Sequence, residues 1–233
     1  MGVAGVSSKQ ITLSVVLTIL LGAMALATLV HFSGRPGPPS TGGTLVFSDD
    51  FEREELGENY RVAAADYGFK AGTWVIEKGR LKGEKIHNAA LWLKRELPKN
   101  VRVEFVAKAE SNQGDVKSEI FGDGMTHQSG YILIHGGWKN STIAIARQDE
   151  HGEDRKVDNR SCGVRSGRRQ CVESGVDYHW AIERRGSTLK WYLNGRLLLT
   201  YPDAHPIQGR HFGFNNWEAP VTFDSLKIYS LAD

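Results

Sequence analysis

Two kinds of apolar pattern divide the chain. Residues 11–30, ITLSVVLTILLGAMALATLV, carry no charge. About 20 such residues, at about 1.5 Å each, cross a hydrocarbon core of about 30 Å. From residue 44 onward the apolar period is two, or the runs are short and continuous. TLVFSDDF opens this region, and GTWVIEKGRLKGE predicts a hairpin turning at Lys78-Gly79. VRVEFVAKAE alternates Val101, Val103, Phe105 and Ala107 against polar partners, and SGYILIHGG and STIAIARQ predict two further strands. DYHWAIERRGSTLKWYLNGRLLLTY predicts three strands with turns at Arg185-Gly186 and Asn194-Gly195; an Asn-Gly pair is a strong short-range hairpin signal. HFGFNNW and VTFDSLKIYSL close the region, and no long helical period occurs after residue 32. About a dozen short strands predict an all-β, two-sheet antiparallel β-sandwich, or jelly roll, preceded by one transmembrane α-helix.

The division predicts a tail over 1–10, a membrane helix over 11–32, a linker over 33–43 and a sandwich over 44–233. The linker, SGRPGPPSTGG, is stiffened by prolines and lacks the apolar residues a core needs. A cleavable signal peptide competes with the anchor, because ALA at 25–27 offers a small-residue cleavage site. The apolar run favours the anchor: it outlasts the roughly 7–15 residues of a signal core and continues past those small residues. Lys9 and Arg35 flank it almost evenly, so charge does not orient it. Cys162 and Cys171 lie nine apart in SCGVRSGRRQC, a Gly-, Ser- and Arg-rich loop. Two close cysteines in such a loop predict a disulfide and an oxidising compartment. The expected arrangement is therefore a single-pass membrane protein. Its N-terminus is cytoplasmic, its sandwich periplasmic or extracellular, and residues 11–32 lie in the lipid bilayer.

Net charge is +2, from 29 basic and 27 acidic residues, so nucleic acid is not an expected partner. Arg165, Arg168 and Arg169 sit in the cysteine loop, where a solvated loop is the plain reading and an acidic lipid or partner the alternative. Asn140 and Asn159 head N-x-S/T sequons.

FSDDFE, GTWVIEKGRL, HWAIERRGSTLKWYLNGRLLLTY and VTFDSLKIYSL, in that order, resemble the concanavalin A-like lectin/glucanase superfamily, laminin-G-like jelly rolls included. The resemblance covers nearly all of the chain after the linker. It implies the fold, but the superfamily includes lectins, carbohydrate-binding modules, glycosidases and scaffolds, so it leaves activity open. Its glucanases carry E-x-D-x-E or E-x-D-x-x-E on a strand of the concave face, with the outer glutamates as nucleophile and acid/base. The matching stretch here, Asp115, Lys117 and Glu119, reads D-x-K-x-E. Asp115 is one methylene short, and Lys117 reverses the central charge. A retaining pair needs carboxyl groups about 5–5.5 Å apart, whereas i and i+4 on a strand start about 13 Å apart. A lysine between them also lowers the pKa that an acid must have raised. The competing reading is a solvated ion ladder of little energetic weight, and catalysis by Asp115 and Glu119 is the disfavoured alternative. His127 and His135 are placed where they can share a surface with Glu119.

Trp138 in HGGWKNS and Trp217 in FNNWEAP fall at predicted strand ends among Gly and Asn. Sugars stack on exposed rings while amides bond their hydroxyls, so Trp138, Asn140, Asn215, Asn216 and Trp217 form the candidate ligand site. The opposing reading is that both rings plug the ends of the sandwich. Trp74, Trp92, Trp180 and Trp191 lie within strands and are expected in the core. The family resemblance also suggests a structural calcium, at positions corresponding to Asp50, Glu52 and Asp224. Three carboxylates fall short of the six to eight oxygens calcium takes.

A second class of function starts from the helix. Ala27-x-x-x-His31 resembles the element by which bacterial antenna polypeptides ligate bacteriochlorophyll, although an interfacial histidine is the plain reading. Gly22, Ala23, Ala25 and Ala27 permit close helix contact, which suits an accessory subunit of a larger membrane complex. The expectation is a non-catalytic binding or scaffold protein whose partner is an envelope glycan or an integral membrane protein.

Overall fold

The computed structural model describes residues 42–63 and 72–233. The tail, the proposed anchor over 11–32, His31 and nearly all of the linker lie outside the described residues. Among the described residues no helix is long and apolar enough to cross a membrane.

Two antiparallel sheets form the sandwich. The larger has eight strands: β1 (Thr44–Asp49), β3 (Thr73–Glu77), β4 (Arg80–Glu84), β6 (Val101–Ala109), β13 (Tyr178–Arg185), β14 (Thr188–Leu193), β15 (Arg196–Pro202) and β17 (Val221–Ser230). Their order is β15-β14-β13-β6-β17-β4-β3. A bulge near Ser225 (φ 54°) splits the free edge of β17, so that Val221–Phe223 pair with β4 and Leu226–Ser230 with β1. The second sheet runs β10-β9-β8-β7-β16-β5-β2. Its strands are β2 (Tyr60–Val62), β5 (Leu91–Leu93), β7 (Val116–Gly122), β8 (Tyr131–Gly136), β9 (Thr142–Arg147), β10 (Lys156–Val157) and β16 (His211–Asn216). A separate hairpin joins β11 (Gly163–Arg165) to β12 (Arg168–Gln170).

The sequence dictates several of these joints. Lys78-Gly79 and Asn194-Gly195 each close a two-residue hairpin with both φ angles positive, as right-twisted strands require. The β13–β14 turn falls one residue later than the pattern suggested, at Gly186-Ser187, because Arg185 still pairs with Thr188. Between the sheets, alternate residues interlock. The Phe105 ring from β6 meets Phe214 from β16 edge-on at 5.3 Å, and Phe214 lies 4.5 Å from Phe223 of β17. Trp180 and Trp191 are buried in the same core, 4.4 Å apart. Trp74 is in that core as well, with its indole N–H donating to the Ala89 carbonyl. Trp92 is also buried, but on the far face of the second sheet, packed with Ala63 and Ala90.

Candidate functional site

The side-chain period of two sorts β7, β8 and β16 into two faces. Val116, Ile120, Tyr131, Leu133, Phe212 and Phe214 enter the core between the sheets. Lys117, Glu119, Ile132, Ile134, Gly213 and Asn215 therefore point to the outer face. Register places Lys117 between Asn215 and Ile134, and Glu119 between Gly213 and Ile132. Asp115 precedes β7 with a left-handed backbone, φ 62°, and so departs from the predicted strand alternation. Its carboxylate still reaches Lys117, with Oδ1 3.4 Å from Nζ.

The ion ladder is buried rather than solvated, which corrects the sequence reading. Loops on either side of the strands roof it, so that Lys117 is only 2% exposed and Glu119 0%. Lys117 Nζ donates to both oxygens of Glu150 at 2.9 and 3.0 Å and to Asn88 Oδ1 at 3.0 Å. Glu119 accepts from Asn215 Nδ2 at 2.7 Å and from the Gln128 N–H at 3.0 Å, and pairs with His127 Nδ1 at 2.7 Å. His127 Nε2 in turn lies 3.3 Å from Glu150 Oε1. The result is one buried cluster of three carboxylates and two cations. His127 shares the surface of Glu119 as expected, whereas Glu150 was not singled out in the sequence, because it arrives from a loop after β9 and no local spacing announces it.

The charges in the cluster set one another. Burial opposes ionisation of Glu150, but Lys117 and His127 overcome it and hold the carboxyl at about 2. Burial also opposes protonation of His127, yet Glu119 and Glu150 raise it to about 9. Asp115 goes the other way: burial pushes its carboxyl up to about 6, against the pull of Lys117. His135, by contrast, faces inward, where its Nε2 meets the Cys171 carbonyl at 3.0 Å and burial holds it down to about 4.

A cleft of about 480 Å³ opens at the end of the outer face where β7 begins and β8 ends. Asp115, Lys117, Glu150, Trp138 and Trp217 all line it, with Asn88, Gln113 and Glu218. Trp217 is 39% exposed and stacks one face on His87, with ring centres 4.5 Å apart. Trp138 is half-buried: it rests against Ile132, Ile134 and Ala146, and the Arg155 guanidinium lies 4.8 Å from its ring centre. Neither ring plugs the end of the sandwich. Trp138 rides on a single turn, Gly137–Asn140, in which Trp138, Lys139 and Asn140 have φ of 50°, 60° and 62°. Three non-glycine residues in the left-handed region cost of order 1–3 kcal/mol each unless their surroundings fix them. Asn140 does the fixing, through four side-chain hydrogen bonds to Asn112, Cys171 and Val172. Gly136, φ 76°, leaves room for it, since a Cβ there would sit 2.6 Å from Asn140 Oδ1.

Asn140, Asn215 and Asn216 do not line the cleft, contrary to the sequence reading. All three are buried. Asn140 braces the Trp138 turn, Asn215 serves Glu119, and Asn216 donates to the Ala219 carbonyl. A residue so enclosed is also no glycan acceptor in the folded state, which removes the Asn140 sequon. Cys162 and Cys171 form the predicted disulfide, and Arg165, Arg168 and Arg169 are exposed on its hairpin. Two of the residues suggested for calcium have partners within the protein. Asp50 accepts the Glu52 N–H at 3.2 Å, and Asp224 pairs with Arg80 at 3.7 Å. Among the described residues no group of three or more His, Cys, Asp or Glu is gathered to hold a metal ion.

No family model and no curated protein matches the chain in sequence. Solved structures match it in shape. A carbohydrate-binding module, CBM66 from Bacillus subtilis, superposes with a TM-score of 0.56 at 16% identity, over 76% of this chain and 98% of its own. The endo-β-1,3-glucanase of Pyrococcus furiosus gives 0.60 at 14% identity, over 85% and 98%. SCLam, a non-specific endo-β-1,3(4)-glucanase from family GH16, gives 0.60 at 13% identity, over 84% and 94%. The chain shares the two-sheet jelly-roll fold of these proteins. At such identities the likeness carries the fold and nothing finer. A jelly roll that serves both a binding module and glucanases makes the residues of this cleft decisive.

Proposed function

We propose that this chain is a glycan-binding protein that does not cleave its ligand, and that its N-terminal segment tethers the jelly roll to the outer side of a membrane. The observation that carries the binding reading is that Trp217 and Trp138 line one cleft together with Asp115, whose buried Oδ1 has a 3.4 Å ion contact with Lys117 and no well-aligned hydrogen bond. A half-exposed indole beside unsatisfied polar groups suits the C–H face and hydroxyl edge of a sugar. Asn88 and Gln113 add amides on the same walls. Similar folds include a carbohydrate-binding module and glucanases, which supports a glycan as the partner class.

The carboxylates support binding over hydrolysis. Glu119, the position matching a glucanase acid/base, is fully enclosed and bonded by His127, Asn215 and Gln128. An acid that must donate to a glycosidic oxygen has to reach it. Asp115 meets the cleft but stands off the strand, with Lys117 beside it. The tether rests on the uncharged run over 11–30 and on the Cys162–Cys171 disulfide, which suits an oxidising compartment.

Glycan-array binding by the full chain in detergent tests this reading. Discrete glycan signals that fall at least about tenfold in Trp217→Ala are expected. Release of reducing ends from a bound glycan, abolished in Glu119→Gln, would overturn the non-catalytic part. Recovery of the mature chain in the soluble fraction, lacking residues 1–30, would overturn the tether.

A further inference from the structure

Resting on the glycan reading, the charge pattern of the cleft goes one step further. The buried Oδ1 of Asp115 has only a 3.4 Å ion contact with Lys117 Nζ and accepts no well-aligned hydrogen bond. Such an acceptor stays short of donors until a ligand supplies one. Lys117 lies closer to Glu150 and Asn88, at 2.9 to 3.0 Å, than to Asp115 at 3.4 Å. Arg155 donates to the Glu150 carbonyl at 2.9 Å and covers Trp138. Glu150 and Glu218 add negative charge to the lining, to which the water-exposed Lys139 also belongs. The lining thus carries three carboxylates, Asp115, Glu150 and Glu218, against two lysines, of which Lys117 is already ion-paired to Asp115 and Glu150.

We infer that this cleft takes sugars through hydrogen-bond donors, hydroxyl or ammonium, that it turns away carboxylated and sulfated sugars, and that Asp115 sets this choice. A donor meeting Asp115 forms a charge-assisted bond, stronger than a neutral one. A carboxylate or sulfate there would meet like charge in a partly dry site and leave Asp115 unsatisfied.

The test is a glycan array holding neutral, amino and acidic sugars, including galactan and galacturonan oligosaccharides of equal length, read with the full chain in detergent. The wild type is expected to bind neutral or amino sugars at least about tenfold more tightly than their acidic counterparts, a difference of about 1.4 kcal/mol. The neutral and amino arms distinguish hydroxyl from ammonium as the donor. Asp115→Asn removes the charge without changing shape, and the neutral-to-acidic ratio is expected to shrink at least about threefold. If Asp115→Asn does not fold, the wild-type ranking decides alone. Equal binding of acidic and neutral sugars, or an unchanged ratio in folded Asp115→Asn, overturns this inference and leaves glycan binding standing. Silence across the whole array overturns glycan binding itself.

Discussion

The backbone N–H of Cys171 is shared between the two oxygens of Asn140, the side-chain Oδ1 at 3.0 Å and the main-chain carbonyl at 3.1 Å. Asn140 Nδ2 donates to the carbonyls of Val172 and Asn112, at 2.7 and 3.0 Å. One buried amide thus fastens the disulfide segment, the loop before Asp115 and the left-handed turn of Trp138. Asn140→Ala leaves several buried partners unsatisfied, and the expected loss is about 3 kcal/mol. Urea unfolding at neutral pH measures it. Acrylamide quenching of Trp138, taken as the difference from Trp138→Phe, should rise alongside; an unchanged urea midpoint would show that water replaces the amide at no cost.

The disulfide that flanks this clamp closes a loop with a sequence separation of nine. In the chain-entropy model so short a loop stabilises by about 2–3 kcal/mol. Replacing Cys162 and Cys171 by Ser should therefore lower stability by about that amount, read as a shift in the urea midpoint under non-reducing conditions. Because Cys171 also anchors Asn140, the double substitution combined with Asn140→Ala should fall short of the sum of the separate losses.

Lys117 is a buried cation between Asp115 and Glu150. Lys117→Met leaves two enclosed carboxylates without their partner, and breaking such a pair costs about 3–5 kcal/mol. Adding Glu150→Gln should restore a large part of that, since the remaining charge is smaller. A double-mutant cycle by denaturant unfolding checks the coupling. If Lys117→Met is as stable as the parent, the roofed face is wetter than its side-chain contacts indicate.

Most of the architecture was legible because strand periodicity and turn chemistry are local. Val101 to Ala107 alternate, and Lys78-Gly79 and Asn194-Gly195 name their own hairpins. The cleft was half legible. Trp138 and Trp217 were readable as large rings at strand ends, and both line it. The asparagines misled, because their polarity in sequence does not tell a ligand-facing amide from one bonded to nearby backbone, as Asn140 and Asn216 are. Glu150 was out of reach: it meets Lys117 across 33 residues of chain, and only the tertiary fold brings such a pair together. The same roof converts an apparently solvated ladder into a buried cluster.

His127 gives the fold an alkaline limit. Its partners Glu119 and Glu150 raise it from 6.5 to about 9 in the folded state. A raised pKa contributes stability that is complete below the unfolded value and disappears as pH climbs through the folded one. Stability should therefore decline between about pH 6.5 and pH 9, by roughly 2–3 kcal/mol from this group. His127→Gln should be less stable at pH 6 and show a flatter decline over the same window. Urea midpoints at half-unit pH steps decide it, and parallel profiles for the two proteins would remove His127 as the cause.

Asp115 gives the cleft an acid limit. Burial pushes its carboxyl up to about 6, with Lys117 pulling it down and Glu150 pushing it further up. Glu150, held at about 2, and His127, at about 9, keep their charges from pH 5 to pH 7.5. Protonation of Asp115 in that window turns an acceptor into a group that must itself find a partner. Binding of a neutral glycan should then weaken by up to about tenfold from pH 7.5 to pH 5, following the carboxylate fraction. Asp115→Asn should bind with a flat profile across the window, which isolates the contribution of Asp115. Titration calorimetry with the strongest neutral hit from the array provides the measurement. A fall of equal size in both proteins would place the titrating group elsewhere and leave Asp115 without the role assigned to it.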